Sequence, residues 1–553
     1  MKKTLLALVA ALLASPASAD TLFYNANGIQ IDAQGKLHRF YGLVVGDDGK
    51  VVRMVRADEP RPIADAAIDV QGRTLLPGLI DAHGHFFGLG HGALSLDLTG
   101  SASLKDLQQR LGAYAAQNPG SGWVVGRGWN QELWPDARFP TAADLDKIVG
   151  DRPVALERVD GHALVVNSAA LRAAGITAAT RDPSGGKIER DRSGKPTGLL
   201  VDAAAALVSG KVPPPTAADR ERAIAKAQQL MLGYGLTAMA DMGTSAAEWQ
   251  ALRRAADAGQ LKVRVMSYAA GMETVTAVGR PSGWSNGDRL RMGGIKIYGD
   301  GALGSRGAWL KRPYADMPGT TGLQFLKDAE LQAQVDTAAG KGFQVAVHAI
   351  GDAANAQAIR AFEQAGRAHP GDRRWRIEHA QVVDPADIPR LAPAGIIASM
   401  QPTHQTSDRT MAEKRLDPPR LQGAYAWQSM LRSGGRLAFG SDFPVESPNP
   451  FPGLGAAISR QDANGQPAGG WFPAQRLSFA QALDAFTRGA AYAGFAEDKI
   501  GQLAPGKWAD FIIVDRDISA VDPQSVYGTQ VLETWVAGKK VWAHTVSARG
   551  ERG

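Results

Sequence analysis

The chain contains no cysteine. A disulfide scaffold, a thiol nucleophile, an iron–sulfur cluster and any thiolate metal site are therefore excluded, and a metal has only nitrogen and oxygen ligands to draw on. Beyond the first twenty residues no apolar run approaches the roughly 18 residues of a membrane-spanning helix. There is no glycine-rich dinucleotide or phosphate-loop fingerprint. Basic residues form no long run, so a phosphate-tracking nucleic-acid surface is not expected. Charge is close to balanced: 61 Lys and Arg against 55 Asp and Glu give a formal net of +6 over 553 residues. With 44% hydrophobic residues, the composition is globular rather than disordered.

Residues 1–19 read as a secretory signal peptide. Lys2 and Lys3 are followed by an apolar run from Leu5 to Leu13 and by Ala17-Ser18-Ala19 before Asp20. Loss of the two lysines takes the net charge to +4. An exported protein, periplasmic or secreted, is expected. Its partner is a small-molecule substrate, with no nucleic acid and no membrane after leader removal, and a homo-oligomer is compatible with the sequence.

Thr21 to Val70 reads as short strands with hairpin turns, and at the far end Asp510 to Val514 and Val531 to Trp542 are again strand-like. The two ends are expected to pair into a small β-sandwich domain, with 20–76 as its N-terminal part and 496–553 as its C-terminal part. Between them, eight apolar runs alternate with helical periodicity: Leu76–Asp81, Leu236–Asp241, Val263–Tyr268, Gly294–Tyr298, Gln344–His348, Trp375–His379, Ile396–Met400 and Leu437–Asp442. The fold class is α/β, with a (β/α)8 TIM barrel over 77–495 as the natural closure. The interval from about 90 to 218 is too long for a loop and carries its own strands and helices. It is expected to be an inserted subdomain sprouting from the carboxyl end of strand one, as a lid or substrate wall.

Only ten histidines occur, and four fall at the ends of expected barrel strands. Asp81-Ala82-His83-Gly84-His85 closes strand one, Val347-His348 strand five and Ile377-Glu378-His379 strand six. Residues i and i+2 of a strand share a face, so His83 and His85 can aim at one point. Neutral imidazole is the usual metal ligand when thiolates are lacking. Asp442 in Gly440-Ser441-Asp442 puts a carboxylate beside that point. Lys296 lies inside strand four, where a buried amine must be paired or neutral. It either bridges to an acid such as Asp300 or captures carbon dioxide as a carbamate.

These words resemble the amidohydrolase superfamily. Leu76 to His85, Ile295 to Arg306, Val347 to Asp352, Arg376 to Gln381 and Gly440 to Val445 are similar to its amidohydrolase-3, YtcJ-like branch, which includes N-substituted formamide deformylases. Ile500 to Asp510 resembles the branch's return into the β-domain. The resemblance implies that His83, His85 and Asp442 bind one divalent ion, that His348 and His379 bind a second, and that carboxylated Lys296 bridges them. One or two ions, with zinc as first choice, would activate a water as hydroxide. Asp442 would act as general base and then acid in cleaving an amide, N-acyl or N-formyl C–N bond. Ester, lactone or cyclic-amide opening, deamination, or a non-catalytic binding protein on the same fold are the alternatives.

Further candidates for substrate contact are His162, Trp129, Gln131, Arg306, Gln401 and His404. His162, in Asp160-Gly161-His162, either reaches the pocket or makes an ordinary loop hydrogen bond. Trp129 and Gln131, with Trp134, either wall the substrate or form the insertion's core, the latter preferred. Arg306 either holds a substrate carboxylate or pairs with Asp300, the pairing preferred. Gln401 and His404 line the rim after strand seven.

Overall fold

The computed structural model describes residues 20–159, 161–183 and 185–545. The expected leader and Asp160 lie outside the described residues. The chain divides into two compact units, one made of the chain through His85 together with Gln228 onward, the other Phe86–Ala227.

In the first unit, eight parallel strands form a nearly closed barrel: β1 (Leu79–Gly84), β2 (Leu236–Thr244), β3 (Arg264–Ala270), β4 (Leu290–Tyr298), β5 (Gln344–Ala349), β6 (Trp375–His379), β7 (Ile396–Met400) and β8 (Arg436–Phe439). Neighbours in sequence are neighbours in space throughout. The gap between β8 and β1 is bridged just past the strand ends, where Asp442 N–H donates to His83 O at 2.7 Å and His85 N–H donates to Phe443 O at 2.8 Å. Strands covered on both faces read as nearly continuous apolar runs, which is why the pattern marks them.

Two strand ends differ from expectation. The run Leu76–Asp81 is split: Thr74–Pro77 is a strand of another sheet, and the barrel begins at Leu79. The break falls at Gly78, where a Cβ would lie 2.2 Å from Thr237 Oγ1. The eighth strand stops at Phe439 rather than reaching Asp442. Asp442 has φ 62°, in the left-handed region rather than the extended one that continues a strand.

The same unit holds a β-sandwich. One sheet contains Val51–Val55, Gly42–Val45, Thr21–Tyr24 and Ala66–Asp69; the other combines Asn27–Ile31, Leu37–Phe40 and Thr74–Pro77 with Phe511–Val514, Val531–Val536 and Lys539–Ala543 from the far end of the chain. The expected strand from Val531 to Trp542 is thus a hairpin, turned at Ala537 and Gly538, both with positive φ. Its core stacks Phe511 on Trp535 at 5.4 Å, with Phe23 edge-on to both at 4.9 Å.

The second unit is built on a mixed six-stranded sheet, ordered Gly186–Arg190, Pro196–Asp202, Ala163–Val166, Val154–Arg158, Val124–Trp129 and Leu96–Asp97. Alternation along the strands loads two cores. Val154, Leu156 and Val165 join Trp129 and Leu107 on one face; Ala155, Leu164 and Val166 join Ile188 and Leu171 on the other. Among the described residues no helix is long and apolar enough to cross a membrane.

Candidate metal centre

Strand register sets the site. Lys296 of β4 lies beside Ala346 of β5, and Ala346 beside Arg376 of β6; two residues further on, Tyr298 lies beside His348 and His348 beside Glu378. The intervening Ile295, Ile297, Val347 and Ile377 are buried on the opposite face. The polar members of these strands therefore stand in two layers at the carboxyl end of the barrel. At β8, Gly440 permits the closest approach: a Cβ there would lie 2.4 Å from both Asp81 Oδ1 and His83 N. Ser441 Oγ donates to Asp81 Oδ2 at 2.7 Å, and His83 N–H donates to Asp81 Oδ1 at 2.9 Å. His379 and Asp442 follow these bonds in the left-handed backbone region, with φ 74° and 62°. Such conformations are costly for non-glycine residues and collect at functional sites.

Around Asp442 the side chains form two donor groups, His83, His85 and Asp442, and His379, His404 and Asp442; within each, one donor atom per residue lies within 4.8 Å of the others. His85 Nε2 is 3.0 Å and His83 Nε2 3.4 Å from Asp442 Oδ1, whereas His404 Nε2 is 4.0 Å from Oδ2. Lys296 Nζ sits 3.2 Å from His83 Nε2. The His348 ring is 4.5 Å from that of His379, but its Nε2 lies 3.5 Å from Asp300 Oδ1.

Ring orientation follows from what the other nitrogen meets. His83 Nδ1 lies 2.6 Å from Glu378 Oε2, and because an ionised carboxylate only accepts, Nδ1 carries the proton and Nε2 offers its lone pair. His379 Nδ1 is 2.9 Å from Gln401 Oε1, while Gln401 Nε2 points to Ser399 O at 3.4 Å. That assigns the same tautomer to His379. Glu378 is itself clamped by Arg376, whose Nε donates to Oε1 at 2.7 Å; Arg376 also donates to Tyr268, Ala82 O and Ser399.

The electrostatics keep the imidazoles neutral. Burial, reinforced by Lys296, brings His83 down to about 4 and His348 to about 3, and burial with the neighbouring imidazoles holds His379 well below its usual value. Burial also lowers the Lys296 amine to about 8 against the pull of Glu378 and Asp442. It pushes the Asp442 and Glu378 carboxyls up, yet the imidazoles around Asp442 and the Arg376 guanidinium beside Glu378 outweigh it, so both stay ionised. Neutral imidazole, carboxylate and a partly neutral amine are the ligand forms a divalent cation selects. Buried His348 Nε2 and His404 Nε2 find no hydrogen-bond partner among the described residues. The donor set fits a metal.

The remaining candidates are placed differently. Gln401 is buried and engaged by His379. Arg306 pairs with Asp316, Nη2 to Oδ2 at 2.8 Å, and not with Asp300 as preferred from sequence. Asp300 is buried and accepts three backbone N–H groups, from Trp309, Ile350 and Gly351. In the second unit, Trp129 is fully buried and donates to Leu156 O. Gln131 is buried against Arg158, and His162 is exposed with Nδ1 2.8 Å from Asp202 Oδ1. Sequence reasoning assigned no role to Glu378 and Arg376, although two charges alternating with Trp375 and Ile377 inside a buried strand were the available signal.

A sequence profile of the amidohydrolase family matches residues 66–542. The chain is 34% identical over 484 residues to the putative amidohydrolase YtcJ of Bacillus subtilis (strain 168), covering 86% of this chain and 90% of that one. It is 28% identical over 548 residues to N-substituted formamide deformylase of Arthrobacter pascens, covering 94% and 97%. Among solved structures, an uncharacterized metal-dependent hydrolase from Pyrococcus horikoshii OT3 superposes with a TM-score of 0.76 at 28% identity, covering 91% of this chain and 99% of that one.

Proposed function

The chain belongs to the amidohydrolase family and is a hydrolase, and from that premise we propose that it cleaves a non-peptide C–N bond, in an amide, N-acyl or N-formyl group of a small molecule. The observation that carries the reading is the convergence of His83, His85, His379 and Asp442, with Lys296, at the carboxyl end of the barrel strands, where such barrels build their sites. The deformylase named above acts, by its name, on N-substituted formamides, and its likeness over almost the whole chain supports the bond type.

His83, His85, Asp442, His348, His379 and Lys296 would hold the cation, zinc being our choice for a set of imidazoles and carboxylate. A divalent cation bound there supplies Lewis acidity and brings the pKa of water toward 7. The rest is the work of side chains. Asp442, kept ionised by surrounding imidazoles, takes the proton of the attacking water and delivers it to the departing nitrogen. Glu378 and Gln401 keep His83 and His379 presenting Nε2. Lys296, its amine partly neutral at physiological pH, adds to carbon dioxide, forming an N–C bond and releasing a proton, to become the carbamate that the resemblance implies. We further propose export, directed by residues 1–19; N-terminal sequencing of the processed protein should begin at Asp20.

Elemental analysis of the purified protein should return between one and two divalent ions per chain. A screen of N-formyl, N-acyl, cyclic amide and ester substrates should show turnover on the first two classes. Asp442→Asn should keep the fold and abolish turnover; surviving turnover would remove Asp442 as the proton carrier.

A further inference from the structure

We infer that His404 is a metal ligand, completing with His379 and Asp442 a second cation position beside the one formed by His83, His85 and Asp442. The inference rests on the metal-dependent reading above and adds a residue that the resemblance did not supply. Three observations carry it.

The first is connectivity of the donors. Asp442 is divided between the groups: Oδ1 faces His85 and His83, while Oδ2 faces His404 Nε2 at 4.0 Å. A carboxylate presenting one oxygen to each group is placed to join two cations. Donor atoms around a tetrahedral ion sit about 3.3 Å apart, so closing 4.0 Å needs only a small side-chain adjustment. The second is the state of the ring. His404 Nε2 is fully buried and has no hydrogen-bond partner among the described residues. A buried polar atom left without a partner in a folded interior calls for an explanation, and an ion supplies one. The third is local geometry. His404 lies in the first turn of the helix Pro402–Arg415, three residues after Gln401, the residue that precedes this helix. That spacing sets both on one side of the helix start. Gln401 takes His379 Nδ1, so His379 is left with Nε2 toward the site, and the His404 ring lies nearly parallel to it, at 18° and 6.1 Å.

The test titrates the metal-free protein with Zn(II), and with Co(II) followed by its visible absorption, and counts ions by elemental analysis. Wild-type protein should bind two ions. His404→Asn and His404→Gln should each weaken the second ion roughly tenfold or more and change the Co(II) spectrum, leaving the first ion in place, while His83→Asn should weaken the other. If both His404 variants fold and bind both ions with unchanged affinity and spectrum, His404 is not a ligand and the inference fails alone. If wild-type protein binds no ion at all, the metal-dependent reading fails with it. A variant that raises only KM for a substrate, with metal binding intact, makes His404 a substrate contact and overturns the inference.

Discussion

At the scale of single residues, the site is governed by groups that never face a substrate. Glu378 fixes which nitrogen of His83 carries the proton, and Arg376 fixes Glu378. Glu378→Gln keeps the volume but presents either an amide oxygen or an amide N–H to Nδ1, so the tautomer is no longer dictated. Outer partners of this kind are worth roughly 10–100-fold in metal affinity. We expect a loss of that size in a Zn(II) competition titration; affinity equal to wild type would mean that His83 is oriented without it. The depressed imidazoles give a second test with a definite sign. His348 titrates near 3 in the fold and near 6.5 when unfolded. Between those values the unfolded chain binds the extra proton, so stability falls as pH is lowered. In metal-free protein the wild type should therefore lose about 1.4 kcal/mol per pH unit relative to His348→Gln between pH 6 and 4. Parallel urea-denaturation curves across that range would contradict it. Selective 13C-histidine spectra should agree, with no His83 or His348 titration above pH 5.5.

At the scale of elements, most of the barrel was legible because buried parallel strands are written as apolar runs, and the ends of those runs carry the chemistry. β5, β6 and β7 fall almost residue for residue where the pattern puts them. What periodicity could not show is where an apolar run changes sheets. Leu75, Leu76, Leu79 and Ile80 are all buried, and only the crowding at Gly78 separates sandwich from barrel. Nor could it show that Arg306 would find Asp316, a partner ten residues on in an irregular segment, while Asp300 turns to backbone N–H groups. The placement of His83 and His85 followed from a two-residue spacing, whereas the role of Glu378 depends on a contact across 295 positions of sequence. The closure of the barrel depends on one element end that can be probed directly. Gly440→Ala sets a methyl against Asp81 Oδ1 and His83 N, so β8 must withdraw from β1. Overpacking of this kind costs about 1–3 kcal/mol. Because His83 and Asp442 sit on either side of the seam, metal affinity should fall together with melting temperature; a variant with wild-type affinity would show the seam to be more yielding than the contacts imply.

At the scale of the molecule, the sandwich is not an appendage to the barrel within the first unit. The chain passes from one to the other at Gly78, and Gly78 N–H donates to Asp510 O at 2.8 Å. Asp510 also receives both Nε and Nη2 of Arg264, at the foot of β3, at 2.6 and 3.0 Å, with both side chains buried. A buried pair of this geometry contributes little net stability over an apolar replacement, but breaking it strands a charge. Asp510→Asn should therefore cost about 3–5 kcal/mol, and so should Arg264→Met, each leaving an unpaired polar or ionic group at the same junction. The double variant Arg264→Met with Asp510→Leu should recover most of that loss, because neither charge remains to be desolvated. With Asp510→Leu as the second single variant, the expected signature in chemical denaturation is a coupling energy approaching the sum of the two single losses. Additive losses would mean that the two side chains act separately, and that the sandwich and barrel are joined chiefly through the backbone at Gly78 and the apolar contacts around it.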